Sequence, residues 1–316
     1  MTVIDTLRTH TDSNAFADLT SHVGNTPLLP LRRVTQGLSP RVKVFAKAEW
    51  FNPGGSVKDR PAIQIIRTAS AAGQLSPGKR LLDSTSGNMG ISYACFGAAL
   101  GIPVTLAVPD NVSPERLTIL RALGAELVLT DPLEGSDGAI RVARKLAAEH
   151  PEKYWYANQY DNPANSQAHY QTTGPEVYSQ SGGSITHFVA ALGTSGTLMG
   201  TGRYLREVNA AIQIIQAQPD DAFHGLEGLK HMPTALKPGI FEPAFADRTI
   251  ELETEASYRM VRRLAREEGL FVGISSGAAV VGALQVAAEL DEGVVVTVLP
   301  DSGYKYLSDS GLWSGA

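Results

Sequence analysis

The chain has 316 residues, with 27 Lys and Arg against 32 Asp and Glu for a formal net charge of −5. These charges are interspersed without basic clusters, which argues against nucleic acid or an anionic membrane surface as a partner. One cysteine rules out an intrachain disulfide, no apolar run approaches the ~18 residues of a membrane span, and the length points to two packed lobes.

The N-terminal stretch "MTVIDTLRTHTDSNAFADL" lacks the basic-then-apolar order of a secretory signal, so a cytoplasmic, reducing setting is expected. Strand-like runs then follow at Val42 ("VKVFAKAEW"), Arg80 ("RLLDS"), Pro103 ("PVTLAVP"), Ala125 ("AELVLT"), Ile185 ("ITHFVAALG"), Ile212 ("IQIIQAQP") and Gly293 ("GVVVTVLP"). Helical spacing of apolar residues predicts helices over 59–72, 88–100, 113–123, 137–149, 196–208, 255–268 and 276–290. Cys95 lies in one of these, within "GISYACFGAAL", and reads as core packing.

Strands alternating with helices predict βαβ units and a mostly parallel α/β architecture. In such sheets ligands gather where strand ends meet helix N-termini, so the glycine-rich junctions "DSTSGN" and "GTSGT" are site candidates. Ser113 and Pro114 mark another helix start, as N-cap and first helical residue. Residues 220–247 break the rhythm with Pro, Gly and aromatics, as a functional or mobile segment does.

The stretch "NPGGSVKDR", Asn52 to Arg60, puts a lysine directly behind a glycine turn. It lacks the spacing of a Walker loop, and the chain shows no dinucleotide fingerprint, paired-His pattern or Cys cluster. A desolvated amine at a helix start suits imine formation, while a solvated lysine paired with Asp59 is the plainer alternative. Imine chemistry with a pyridoxal cofactor also needs a phosphate cup, a partner for the ring nitrogen and a carboxylate site.

The segment "KAEWFNPGGSVKDRPA" resembles the lysine signature of the cysteine synthase and cystathionine β-synthase family of pyridoxal phosphate enzymes. "TSGNMG" is similar to that family's substrate loop, "QYDNPAN" to its glutamine loop, "GTSGT" to its phosphate cup and "GISSGAA" to the segment facing the ring nitrogen. The motifs run in family order from residue 47 to residue 279.

The resemblance implies a fold type II, tryptophan synthase β-like enzyme of two α/β lobes: a smaller one over 52–162, and a larger one over 20–51 plus 163–316. It implies pyridoxal 5'-phosphate held by Lys58 as an imine, with the same amine later removing the substrate α-proton. Asn88 would meet the cofactor's 3' oxygen. Gly193, Thr194, Ser195, Gly196 and Thr197 would cradle its phosphate, and Ser275 would face its ring nitrogen. Thr85, Ser86, Gly87, Met89 and Gln159 would receive the amino-acid substrate. Because a serine hydroxyl cannot keep a pyridine nitrogen protonated as an aspartate would, β-elimination is favoured over transamination.

The implied reaction is that of a cysteine synthase: O-acetylserine or O-phosphoserine plus sulfide or another sulfur donor gives cysteine through an aminoacrylate. The alternatives are a cystathionine β-synthase, joining serine with homocysteine, and a regulatory partner that binds a serine acetyltransferase C-terminus. A homodimer is implied by the resemblance alone. Two departures stand out: Met89 replaces the family's usual hydroxyl residue, and Asp83 and Ser84 replace its usual Glu and Pro or Ala. Lys230, where the phosphoserine-using branch carries an arginine, is a candidate for the leaving group, with His224 and His231 secondary.

Overall fold

Two sheets organise the chain, and the computed structural model describes residues 18–85 and 87–313. In chain order the main elements are β1 (Leu28–Leu31), β2 (Val42–Ala48), α1 (Asp59–Ala71), β3 (Arg80–Ser84), α2 (Asn88–Leu100), β4 (Val104–Pro109), α3 (Pro114–Ala122), β5 (Glu126–Thr130), α4 (Gly135–Glu149) and β6 (Tyr154–Tyr156). There follow α5 (Pro163–Gln171), α6 (Thr173–Gln180), β7 (His187–Ala191), α7 (Gly196–Val208), β8 (Gln213–Pro219), β9 (Arg248–Leu252), α8 (Thr254–Arg263), α9 (Ile274–Ala288) and β10 (Gly293–Leu299).

The larger sheet runs β1-β2-β10-β7-β8-β9 and the smaller β5-β4-β3-β6. Every pairing is parallel except β1 with β2. Helices cover both faces, so the inner strands read as unbroken apolar runs: every residue of β4, "VTLAVP", is buried. The most apolar helix, α9, sits in the core against β10, β7 and α8.

All seven strands expected from sequence form, and the seven expected helices appear within two residues of their starts. The last of α8's expected turns, Leu264–Glu268, is π-helical rather than α-helical. Among the described residues, strands β1, β6 and β9 and helices α5, α6 and the four-residue Ser310–Trp313 lie outside the expected set. β1 contains Pro30 and pairs along one edge, β6 spans three residues, and α5 and α6 are short and rich in Asn, Gln, Thr and Tyr, so none carries a strong periodic signal. Cys95 is only partly buried, because its side of α2 is not fully covered, which corrects its reading as a core thiol. No helix among the described residues is long and apolar enough to cross a membrane.

Candidate active site

A cavity of about 700 Å³ opens where the strands end. Its walls come from the residues after β2 (Val57, Lys58), β3 (Thr85, Gly87), β6 (Gln159, Tyr160), β7 (Gly193, Thr194), β8 (Glu227, Lys230) and β10 (Pro300). The carboxyl ends of both sheets thus converge on one space, as parallel topology favours.

Lys58 is delivered by a turn in which Gly55 takes φ 75°, a left-handed conformation that suits glycine. A side chain at Gly54 would meet Asp59 Oδ1 at 2.5 Å. The turn is tied to the end of β10, with Val57 N–H donating to the Pro300 carbonyl at 2.8 Å. Lys58 is partly exposed, and it opens on the cavity it lines. Among the described residues its Nζ has no hydrogen-bond partner, and burial pulls its pKa from 10.5 down to about 8. The plainer alternative, an ion pair with Asp59, is not formed.

Asp59 instead accepts hydrogen bonds from Gly54 N–H and Ser92 Oγ, both at 2.5 Å. Arg60, 1 % exposed, donates to Glu49 at 2.7 and 2.8 Å and to Glu176 at 2.7 and 2.8 Å. The Asp-Arg pair therefore fixes the start of α1 against β2 and α6, and neither residue lines the cavity.

The substrate-loop candidates gather at the start of α2. Thr85 Oγ1 accepts from the N–H groups of Gly87 (3.0 Å) and Gly90 (3.1 Å), so this hydroxyl caps the helix as well as lining the cavity. Asn88 is held at both ends: its Nδ2 donates to Asp301 at 2.7 Å and its Oδ1 accepts from Lys305 at 2.7 Å. Met89 is 2 % exposed and packs in the apolar cluster with Ile63 and Leu106, leaving its backbone N–H as its polar group for the cavity. Ser86 lies outside the described residues.

Gln159 is tied to the same loop, its Nε2 donating to the Ser84 carbonyl at 2.7 Å and its backbone N–H to Asp83 at 3.1 Å. Burial pushes the Asp83 carboxyl up to about 7, against its bonds from Ser84 and Gln159. The Glu-to-Asp departure thus falls on the group that joins the substrate loop to the glutamine loop.

Between β7 and α7, Ser195 adopts φ 66°, unusual for a residue other than glycine, and its buried Oγ has no partner among the described residues. A side chain on Gly193 would strike the Gly228 carbonyl at 2.6 Å, and one on Gly196 would overlap Asn165 Oδ1. Backbone therefore approaches the cavity closely here, with the unpaired first N–H groups of α7 behind it. Gly193, Thr194, Ser195 and Thr197 line the cavity, and Gly196 stands just behind them. Ser275, in the first turn of α9, lines it as well.

Lys230 reaches the cavity but is not free: its Nζ pairs with Asp137 at 2.9 Å and lies 5.1 Å from the Tyr160 ring centre. Arg116, buried in the cavity wall, pairs with Glu227 through Nη1 and stacks 4.7 Å over Tyr306, while its Nε has no partner among the described residues. His224 lines the cavity, whereas His231 turns to Thr234 at 2.8 Å.

Several residues around this cavity carried no signal in the sequence. Asp301, Lys305 and Tyr306 come from the C-terminal "PDSGYKY", and His169 from the unexpected helix α5. His169 Nε2 faces Thr197 Oγ1 at 3.3 Å and its Nδ1 faces Thr173 at 2.9 Å; burial holds its pKa well below the ordinary range, so it is neutral. A single His within the polar run "NSQAHYQTTGPE" is the one clue that could have flagged it.

The chain matches the family model "Pyridoxal-phosphate dependent enzyme" over residues 19–301. It is 53% identical over 291 residues to a cysteine synthase of Aquifex aeolicus, covering 90% of this chain and 89% of that one. Among solved structures, a cysteine synthase of Entamoeba histolytica superimposes with a TM-score of 0.90 at 34% identity, covering 96% of this chain and 92% of the other. An O-acetylserine dependent cystathionine β-synthase of Helicobacter pylori gives 0.87 at 33% identity, covering 93% and 98%. The chain belongs to the pyridoxal-phosphate dependent enzyme family that includes the cysteine synthases.

Proposed function

We propose that the protein is a cysteine synthase that exchanges the β-substituent of O-acetylserine for sulfide, giving cysteine and acetate. The observation that carries this reading is an amine of lowered pKa, Lys58, without a partner among the described residues and sharing one cavity with the Gly193–Thr197 cradle. The residues present fit pyridoxal phosphate: the orphaned Ser195 Oγ and the N–H groups at the start of α7 suit a phosphate dianion. Lys58 supplies the amine, Ser275 a neutral hydroxyl for the ring nitrogen, and Asn88 a donor for the 3' oxygen. When bound, the cofactor supplies an electron sink that acidifies the substrate α-carbon.

The rest of the chemistry belongs to the chain. Backbone N–H groups of the Gly87–Met89 turn and the second hydrogen of Gln159 Nε2 receive the substrate carboxylate, where the α2 dipole favours an anion. Lys58 Nζ, neutral in a useful fraction at pH 7, takes the α-proton.

O-acetylserine is preferred over O-phosphoserine because Lys230 and Arg116, two cations of the cavity wall, already hold the carboxylates of Asp137 and Glu227. Purified protein given each ester with sulfide, with homocysteine run alongside as the competing acceptor, tests the assignment through cysteine and acetate release. No cysteine from either ester sinks it, and cystathionine ahead of cysteine transfers it to the cystathionine β-synthase reaction.

We also propose that residues 52–162 close as one lobe over 20–51 plus 163–316 when substrate binds. What supports this is that the smaller sheet's strands all lie within residues 80–156, whereas the larger sheet's lie on either side. Superimposable substrate-free and substrate-bound structures refute it. A homodimer follows from the resemblance, and sedimentation of the purified protein tests the oligomeric state.

A further inference from the structure

We propose that Lys305 and Asp301 are positioning residues that lock the Asn88 amide in one orientation, so that it offers the cavity a donor and not an acceptor. This rests on the reading of Asn88 as a cofactor contact.

The three side chains form a line. Lys305 Nζ donates to Asn88 Oδ1 at 2.7 Å, and Asn88 Nδ2 donates to Asp301 Oδ2 at 2.7 Å. An ammonium can only donate and a carboxylate oxygen here accepts, so the chemistry of the neighbours fixes which end of the amide is which. Rotating the amide by half a turn would set N–H against ammonium and carbonyl against carboxylate. Both neighbours are buried, Lys305 at 6 % and Asp301 at 0 % exposure, so water cannot relieve that mismatch.

Each end is itself anchored. Tyr306 Oη donates to Asp301 Oδ2 at 3.0 Å, and Lys305 carries a second bond to the Gly55 carbonyl at 3.1 Å while its own carbonyl accepts from Ser113 Oγ at 3.1 Å. With Oδ1 and one Nδ2 hydrogen engaged, the remaining Nδ2 hydrogen is the group Asn88 presents to the cavity it lines. A cation on the carbonyl end polarises the amide and strengthens that donor toward an anionic oxygen such as a phenolate.

The test is a double-mutant cycle on the holoenzyme, reading the dissociation constant of pyridoxal phosphate and the absorption maximum of the bound cofactor. K305M is expected to weaken cofactor binding about five- to tenfold, the worth of one polar contact, and to move the visible band. In an N88A background the same substitution is expected to change binding by less than about twofold, because Lys305 acts through Asn88. K305Q, which keeps a donor without the charge, carries the same cycle if K305M does not fold. A K305M effect undiminished by N88A, or no K305M effect at all, overturns the proposal and leaves Lys305 a prop for the turn. If N88A alone leaves affinity and spectrum unchanged, it is the underlying reading of Asn88 that fails.

Discussion

The amine of Lys58 is expected to behave as a base of pKa about 8 in the cofactor-free protein, against 10.5 for an ordinary lysine. Its cause is desolvation of an amine set among the cavity walls, with no carboxylate among the described residues to hold the charged form. At pH 7 such a group is neutral in about one molecule in ten, where an ordinary lysine is neutral in about one in three thousand. The gain of about 300-fold in free amine is what readies Lys58 for imine formation and for proton transfer. Trace acetylation of the cofactor-free protein across pH 6 to 11, with Lys58 followed by mass spectrometry, gives its titration directly. The labelling rate at Lys58 is expected to reach half its plateau near pH 8. A Lys58 midpoint near 10.5 would falsify the desolvation account, and a Lys58→Ala variant with undiminished activity removes the residue from the chemistry altogether.

Further outcomes follow from the surrounding contacts. Arg60→Met leaves Glu49, 0 % exposed, with a buried and unpaired charge, and is expected to cost about 3–5 kcal/mol in urea unfolding. Adding Glu49→Gln should recover part of that loss; a single variant within about 1 kcal/mol of the parent contradicts the bracing role. Asp137→Asn releases Lys230 from its 2.9 Å pair and should raise the preference for O-phosphoserine over O-acetylserine about fivefold in kcat/KM; an unmoved ratio excludes Lys230 from leaving-group recognition. Asp83 has a folded pKa of about 7 against 3.8 for an ordinary Asp, so the folded chain keeps a proton that the unfolded chain has already released. Its contribution to stability is full below pH about 3.8 and is lost as pH rises through about 7, and Asp83→Asn should flatten that slope of Tm against pH; a parallel slope in both proteins rejects the assignment.

The parts of the site legible in the sequence are those whose chemistry needs consecutive residues. A turn that presents an amine requires glycines immediately before Lys58, and a backbone cradle requires Gly193 and Gly196 where side chains would strike Gly228 and Asn165. Local necessity of this kind writes itself into a short motif. The buried strands were legible for a related reason, since parallel strands covered on both faces cannot alternate and show as apolar runs.

What stayed hidden depends on partners far apart in the chain. Asn88 meets Lys305 across 217 positions and Asp301 across 213, and nothing near "PDSGYKY" marks either as part of the site. Lys230 reads as a free phosphate-binding cation for the same reason, because its neutralising partner Asp137 lies 93 positions earlier. A sequence shows which charges a cavity can draw on, while the pairing of those charges decides which remain free to bind substrate. Here that pairing converts a phosphate-binding candidate into a neutral wall, and converts an unremarked C-terminal lysine into the group that sets the donor face of Asn88.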